Sequence, residues 1–264
     1  MIYAHTINRY LVAALVFLLL VLVMPAEIQA GEYGYDETDQ SSRQAKYLAK
    51  LQEDRKKVDL AIRNTKALID TSRNKPYLPE LYLREAELYV ELSRIAFFLR
   101  KGESTGSSSA FGQLESNTLK NQAIEIYQRI LDNFPEFDAR DKIHFFLAHE
   151  YRELGKIDEM VKQYRVIISE YKNSPYVPEA YLLLGDYFIN LQDLDMAIRH
   201  YTAVLGHPES PAIAIARYKL AWCHINNAEF KKAIRLFEEA VKSTQAGREL
   251  DVDTYKRVDI RTEA

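Results

Sequence analysis

Residues 178–210 read PEAYLLLGDYFINLQDLDMAIRHYTAVLGHPES and contain two apolar patterns of helical period joined by a short polar segment. The apolar side chains recur at intervals of three and four residues, which is typical of an amphipathic helix. Gly185 and Ala197 are small enough for two helices to cross closely, whereas a larger side chain would overpack the crossing at a cost of about 1–3 kcal/mol. Tyr201 supplies a ring that can fill the wedge between this hairpin and the next. The stretch therefore predicts two antiparallel helices.

The same pattern recurs along the chain. Ala148 lies 37 residues before Gly185, and Ala221 lies 36 residues after it, each within a similar apolar stripe. Residues 74–83, NKPYLPELYL, also resemble residues 173–182, NSPYVPEAYL. A period of this length is typical of stacked helical hairpins that bury their apolar faces against their neighbours. We therefore expect an all-α fold, an α-solenoid.

An earlier copy, residues 79–135, carries an insertion. Ala86 and Ala123 are 37 residues apart, whereas Gly185 and Ala197 are 12 apart, so this copy holds 25 extra residues. They include GESTGSSSAFG at residues 102–112, a composition typical of flexible segments. We expect a Gly/Ser loop near residues 101–116, after a first helix that reaches about Arg100.

Both ends of the repeat region need a cover, because a solenoid exposes apolar surface at each end. Before the first copy we expect a leading helix, Gln44–Ser72, that packs through Ala61, Thr65 and Leu68. After the last copy, residues 250–264 are either a polar-backed cap or the first part of another repeat.

The offsets within each copy resemble the tetratricopeptide repeat, whose signature is an aromatic residue, Leu followed by Gly or Ala, Tyr, Ala, an aromatic residue and Ala. The resemblance covers about residues 60–245 and implies about four repeats in a solenoid domain, residues 43–264. It further implies a non-enzymatic scaffold that binds other proteins or peptides and needs no cofactor. The residues that carry it are Tyr181, Leu184, Gly185, Phe188, Ala197 and Tyr201 in one copy, and Tyr218, Leu220, Ala221, His224, Ala233 and Phe237 in the next.

In this family the first helix of each hairpin lines a concave face that takes a peptide or a partner helix. Trp222 on that face is either a binding residue, since tryptophan is enriched at hot spots, or a packing residue against the carboxyl-terminal segment. The resemblance does not extend to the members that clamp a terminal carboxylate, because Trp222 replaces the expected Asn and Asp186 opposes an anion, although Lys219 fits. The offsets of this face correspond to Leu83, Glu87, Glu91, Phe145, His149, Arg152, Leu182, Asp186, Asn190, Lys219, Trp222 and Asn226.

The amino-terminal segment predicts export. Residues 1–10 carry one Arg, residues 11–24 lack polar side chains, and Ala30 offers a small residue for cleavage. The apolar run is shorter than the roughly 20 residues that span a bilayer as a helix. We expect a signal peptide over residues 1–30, cleaved near Ala30, or alternatively an uncleaved anchor that makes the only membrane contact; residues 31–42 would then be a linker.

Composition and charge limit the classes of function that the chain can have. Hydrophobic residues make up 47% and charged residues 28%, which is typical of globular domains. A net charge of −3 from 35 basic and 38 acidic residues does not favour nucleic-acid binding. Cys223 is the only cysteine, so neither an internal disulfide nor a cysteine cluster can form.

No convergent catalytic or metal site is evident. His144 and His149 lie about 140° apart around one helix, which is wrong for a shared metal, and residue 153 is Glu where a zinc-protease motif needs His. We expect His144 to fill an aromatic packing position and His149 to lie exposed. Cys223 and His224 are adjacent and point apart, so we expect a buried thiol and no enzyme.

Phrases such as YKNSPYVPEA, residues 171–180, resemble cell-envelope members of the family, among them the Tol–Pal periplasmic coordinator, the barrel-assembly lipoprotein and gliding-motility proteins. The resemblance implies a periplasmic or cell-envelope scaffold for envelope proteins. Two alternatives to this scaffold stay open. The first is a structural subunit of an envelope or motility assembly that uses helix edges, and the second is an enzyme or enzyme-accessory domain.

Overall fold

The computed structural model describes the backbone of residues 37–103 and 108–250, and the side chains of residues 42–101 and 112–243. Contacts divide the chain into residues 1–50 and residues 51–264, and the packing described below lies within the second unit. The described residues form helices α1 (Glu37–Thr71), α2 (Leu78–Glu103), α3 (Ser108–Asn133), α4 (Arg140–Glu153), α5 (Ile157–Glu170), α6 (Val177–Asn190), α7 (Leu194–Val204), α8 (Ala212–Asn226) and α9 (Phe230–Leu250).

Successive helices pair into hairpins, and the hairpins stack in chain order. The pairs are α2–α3, α4–α5, α6–α7 and α8–α9, and each hairpin contacts the next through its neighbouring helices. The first helices α6 and α8 also contact each other directly. The expected all-α fold, an α-solenoid, is therefore confirmed over the described residues.

The small residues that set the repeat register lie where two helices of a hairpin meet. Gly185 on α6 is buried, and a Cβ atom there would lie 2.6 Å from Cδ1 of Tyr201 on α7. Ala148 and Ala221, at the equivalent positions of the neighbouring hairpins, are both 0% exposed. The predicted register is thus confirmed in three consecutive repeats.

Large rings fill the space between hairpins, as expected for Tyr201. Its side chain is 1% exposed and belongs to a cluster built from α6, α7 and α8. Phe237 occupies the equivalent position on α9 but is only partly buried. Its ring contacts Tyr218 and Trp222 of its own hairpin. The buried members of the cluster are Leu182, Phe188, Ala197, Tyr201, Val204, Ala212, Ala216, Leu220 and Cys223.

The expected Gly/Ser loop near residues 101–116 is helical at both of its ends, since residues 101–103 belong to α2 and residues 108–116 to α3, while residues 104–107 lie outside the described residues. Helices α2 and α3 have 26 residues each, against 14 in each of α4 and α5, so the extra residues lengthen both helices of the hairpin. Gly112 lies against Arg100, whose Cγ would be 2.9 Å from an added Cβ, and Ser116 is 2% exposed. At these two positions the small size of glycine and serine lets the helices lie close together.

The leading helix begins earlier and packs through a different row than expected. α1 starts at Glu37, so the second half of the expected linker, residues 31–42, is helical. Leu68 is 54% exposed and was wrongly assigned to the packed face, which is instead formed by Val58, Ile62, Thr65 and Ile69.

Two expected segments fall on residues that are not described. The signal peptide or anchor over residues 1–30 lies wholly outside the described residues, as do residues 251–264 of the expected cap or further repeat. None of the helices that are described has the length and apolarity needed to cross a bilayer.

A left-handed residue closes the first helix of three hairpins. Gly155, Gln192 and Ala228 have φ values of 71°, 60° and 58°, and they are separated by the same 37 and 36 residues as the repeats. In each case the next residue donates its amide to the carbonyl five residues before it, for example Glu229 to His224 at 2.8 Å. This is the Schellman arrangement, in which glycine is preferred because a Cβ atom is strained at positive φ.

We expect Ala228→Gly to stabilise the protein. The substitution relieves the left-handed strain of an L-residue, about 1–2 kcal/mol, and loses part of that gain to the greater freedom of glycine in the unfolded chain, which leaves about 0.5–1 kcal/mol. The midpoint of thermal unfolding should shift upward by about 1–4 °C. Ala203→Gly, the same chemical change inside α7, should instead lower the midpoint; equal effects at both positions would contradict the assignment.

Candidate protein-binding surface

A pocket of about 450 Å³ opens between the first helices α6 and α8. It brings together five residues predicted from the repeat offsets, Asp186 and Asn190 from α6 with Lys219, Trp222 and Asn226 from α8. Sequence reasoning missed Tyr218, although it occupies the position equivalent to Phe145 and Leu182. The full lining, called the α6–α8 pocket below, is Asp186, Ile189, Asn190, Tyr201, Tyr218, Lys219, Trp222, Cys223 and Asn226.

Asp186 is the electrostatic centre of the α6–α8 pocket. Tyr201 donates its hydroxyl proton to Oδ1 of Asp186 at 2.6 Å, and Nζ of Lys219 lies 3.2 Å from the same oxygen. Burial raises the pKa of Tyr201, and the hydrogen bond to Asp186 raises it further. Because Lys219 is paired with Asp186, this pocket offers no uncompensated cation for a terminal carboxylate, in agreement with the sequence expectation.

Trp222 is an exposed but supported aromatic residue. It is 48% exposed, and its ring packs edge-on against Tyr218 and Phe237 at centroid distances of 6.3 and 5.9 Å. An aromatic side chain held by two others loses little conformational freedom when a partner covers it, which favours binding. The alternative, packing against the carboxyl-terminal segment, concerns residues outside the described range.

A second pocket, of about 550 Å³, opens between the first helices α2 and α4. It contains Glu87, Glu91, Phe145 and His149 from the predicted set. Sequence reasoning missed Arg94, Phe146 and Glu150. The full lining, called the α2–α4 pocket below, is Arg84, Glu87, Val90, Glu91, Arg94, Tyr127, Phe145, Phe146, His149 and Glu150.

Aromatic rings form one wall of the α2–α4 pocket. Phe145 stacks on Tyr176 at 4.6 Å and meets the ring of His149 edge-on at 4.9 Å. His149 is half-buried, not exposed as expected, because it packs on Phe145 one helical turn earlier. Burial lowers the pKa of His149 to about 4, with a further contribution from Arg152, so the imidazole is neutral at pH 7.

The carboxylates of the α2–α4 pocket differ in their pairing. Glu87 accepts a hydrogen bond from Nζ of Lys142 at 2.9 Å and lies 3.8 Å from Nη1 of Arg84. Glu150 is only 5% exposed, and its Oε2 has no hydrogen-bond partner in the described part of the chain. Burial raises the pKa of Glu150, while the charges of Lys120 and Arg94 lower it in part.

Three predicted residues do not line either pocket. Leu83 and Leu182 are 8% and 7% exposed and belong to the buried core, so they offer little surface to a partner. Arg152 is exposed and lies 3.4 Å from Nδ1 of His149.

The histidine and cysteine side chains that could take part in catalysis are held by packing and hydrogen bonds. His144 contacts Gln163 through Nδ1 at 2.7 Å and packs on Tyr171, as expected for an aromatic packing position. Cys223 is buried, and burial raises the pKa of its thiol to about 11, so the thiolate is a minor form at neutral pH. Among the described residues no group of three or more His, Cys, Asp or Glu side chains is arranged to hold a metal ion.

The described helices form a stack of helical hairpins with two pockets between first helices. Residues 178–206 and residues 216–243 each match a model of the tetratricopeptide repeat, and these segments coincide with the hairpins α6–α7 and α8–α9. The chain therefore contains tetratricopeptide repeats, a class of repeat that generally mediates protein–protein interactions.

Similar solved structures include a crystal structure of MamA, with 15% identity and a TM-score of 0.47 over 75% of this chain and 95% of that one. Another is a crystal structure of BtubC (BKLC) from P. vanneervenii, with 17% identity and a TM-score of 0.43 over 80% of this chain and 90% of that one. None of the curated proteins matches the chain. Nothing about function follows from similarities of this size.

Proposed function

We propose that this protein is a non-enzymatic adaptor of the cell envelope that holds other proteins or peptides along the surface of its first helices. The observation that carries the proposal is the pair of pockets on successive first helices, one between α2 and α4 and one between α6 and α8. Both combine aromatic walls with fixed polar groups, which is the composition expected of a specific binding surface.

The proposed location is the periplasm or another compartment of the cell envelope. Its support is the signal-like order of residues 1–30 in the sequence, with one basic residue, an apolar run and a small residue before Gly31. Alkaline phosphatase fused after Ala264 tests it, because that enzyme forms its disulfides only in an oxidising compartment. Phosphatase activity that is lost when residues 1–30 are removed supports export, and activity absent from the full-length fusion contradicts it.

Photo-crosslinking in cells tests the adaptor surface. A benzophenone amino acid at Asn190 or Asn226, both exposed at the α6–α8 pocket, is expected to give crosslinks to envelope proteins. Arg199 on α7 and Lys231 on α9 are exposed positions on second helices and serve as matched controls. Discrete adducts from the first-helix positions alone support the proposal.

Equal adducts from Arg199 and Lys231, or none from Asn190 and Asn226, would contradict use of the first-helix surface. Adducts from the second-helix controls alone would favour the alternative, a structural subunit that assembles through helix edges. One observation favours that alternative: Phe230, Ile234 and Val241 form an exposed apolar row on α9, at 60%, 58% and 56% exposure.

A further inference from the structure

The α2–α4 pocket contains a polar group that the packing of the protein leaves unsatisfied. Glu150 is only 5% exposed, and its buried Oε2 has no hydrogen-bond partner in the described part of the chain. Leaving a buried polar oxygen unpaired is costly, and the cost is greater for a charged group. Glu150 also belongs to the lining of the α2–α4 pocket, so a group that enters this pocket would lie beside its carboxylate.

The nearby basic side chains do not satisfy this carboxylate. Lys120 pairs instead with Oε2 of Glu153 at 3.3 Å, and Lys142 pairs with Glu87 at 2.9 Å. Arg94, on the opposite side of the pocket, is exposed and makes no hydrogen bond to Glu150. An ionised carboxylate can only accept hydrogen bonds, so the group that completes the site must be a donor.

The aromatic wall selects among possible donors. Phe145, Phe146 and Tyr127 line the same pocket as Glu150, and the faces of such rings attract cations. Nζ of Lys142 already lies 5.2 Å from the centroid of the Phe146 ring, which shows this contact in the protein itself. A guanidinium or ammonium group could therefore meet a ring face and a carboxylate together.

We propose that the α2–α4 pocket binds a basic side chain of the partner polypeptide, which pairs with Glu150 and packs against the aromatic wall. The proposal rests on the adaptor function proposed above and specifies the chemistry of the segment that is held. Arginine fits best, because its planar guanidinium can form two parallel hydrogen bonds to a carboxylate and stack on a ring.

Peptide titration tests the proposal without knowledge of the natural partner. The probes are acetyl-Ala-Arg-Ala-amide and the same peptide with citrulline, which has the shape of arginine without its charge. Binding to the purified full-length protein is followed by the NMR signals of the His149 ring, which lies in the pocket. We expect saturable shifts with the arginine peptide and affinity about tenfold or more lower with the citrulline peptide.

Matched variants assign the binding to Glu150. Glu150→Gln keeps the size of the side chain and removes its charge, and should weaken binding of the arginine peptide about tenfold or more. Glu170→Gln makes the same change in net charge on α5, outside the pocket lining, and should leave the affinity unchanged. Circular dichroism verifies the fold of each variant; if Glu150→Gln is unfolded, the comparison of arginine with citrulline on the wild-type protein still decides.

Three results would overturn the proposal. They are equal binding of the two peptides, an unchanged affinity in Glu150→Gln, and no shift of the His149 signals at about 50 mM peptide, roughly fifty times a millimolar Kd. Such a result together with crosslinks from Asn190 and Asn226 would leave the adaptor function standing. Conversely, arginine binding at Glu150 without those crosslinks would contradict the adaptor proposal, but the α2–α4 pocket would still be shown to bind a basic side chain.

Discussion

Gly185→Ala is expected to lower the free energy of unfolding by about 1–3 kcal/mol, although alanine is the better helix former. The added Cβ would lie 2.6 Å from Cδ1 and 2.9 Å from Cζ of Tyr201, closer than carbon atoms approach without displacement. Tyr201 is 1% exposed, and its hydroxyl is held by Asp186 at 2.6 Å, so moving the ring away from the added methyl group would disturb that hydrogen bond. The measurement is the midpoint and slope of urea unfolding.

The sign of this effect separates two explanations of the glycine. If Gly185 filled an indifferent helical position, alanine would raise stability by up to about 1 kcal/mol through helix propensity alone. A rise would therefore contradict the close crossing. Ala148 and Ala221 show that a methyl group fits at this position in the neighbouring hairpins, where both are buried.

A second substitution identifies Tyr201 as the obstacle. Tyr201→Leu alone should destabilise the protein, because it removes a buried ring and its hydrogen bond to Asp186. In that background, however, Gly185→Ala should cost much less than in the wild type, since the methyl group then has space. A double-mutant cycle measures this coupling, and additive effects would show that the two side chains do not compete for the same volume.

The helical hairpins could be predicted because their spacing is repeated in the sequence. The column of Ala148, Gly185 and Ala221 fixes the register, and the column of Tyr164, Tyr201 and Phe237 follows it by 16 residues each time. Repetition compensates for the weakness of each individual pattern. Residue size and spacing were therefore sufficient for the fold and for most of the α6–α8 pocket.

The insertion shows where composition misleads. Residues rich in glycine and serine suggest a flexible loop, yet Gly112 and Ser116 recur at a helical interval and lie in a helix crossing. The same residue types permit flexibility in solvent and close contact in a packed helix. The spacing of the small residues distinguishes the two cases, and Gly112 and Ser116 lie four residues apart, about one helical turn.

Glu150 was missed although the repeat alignment contains a signal for it. The equivalent residues of the next two repeats are Tyr187 and Cys223, so a carboxylate stands in a column of side chains that are partly or fully buried. Its lack of a hydrogen-bond partner depends on Lys120 of α3 and Lys142 of α4, which pair with Glu153 and with Glu87 of α2. Such three-dimensional pairing cannot be derived from the spacing along one helix.

The same substitution at two equivalent tyrosines is expected to have opposite effects. Tyr164 and Tyr201 are separated by one repeat, and both are almost fully buried at 0% and 1% exposure. The hydroxyl of Tyr201 donates to Asp186 at 2.6 Å, whereas the hydroxyl of Tyr164 has no partner among the described residues. The difference arises on the first helix, where His149 occupies the position equivalent to Asp186.

Tyr201→Phe should therefore destabilise the protein by about 1.5–3 kcal/mol, the usual contribution of a hydrogen bond to a charged group. Tyr164→Phe should instead stabilise the protein by about 1–3 kcal/mol. It removes a buried hydroxyl whose desolvation costs free energy that no hydrogen bond offsets. Urea unfolding of both variants beside the wild type measures the pair, and each serves as the control for the other, since both lose one oxygen atom from one buried ring. Effects of the same sign would show that burial of the ring, and not the residue opposite its hydroxyl, sets the stability of these two hairpins.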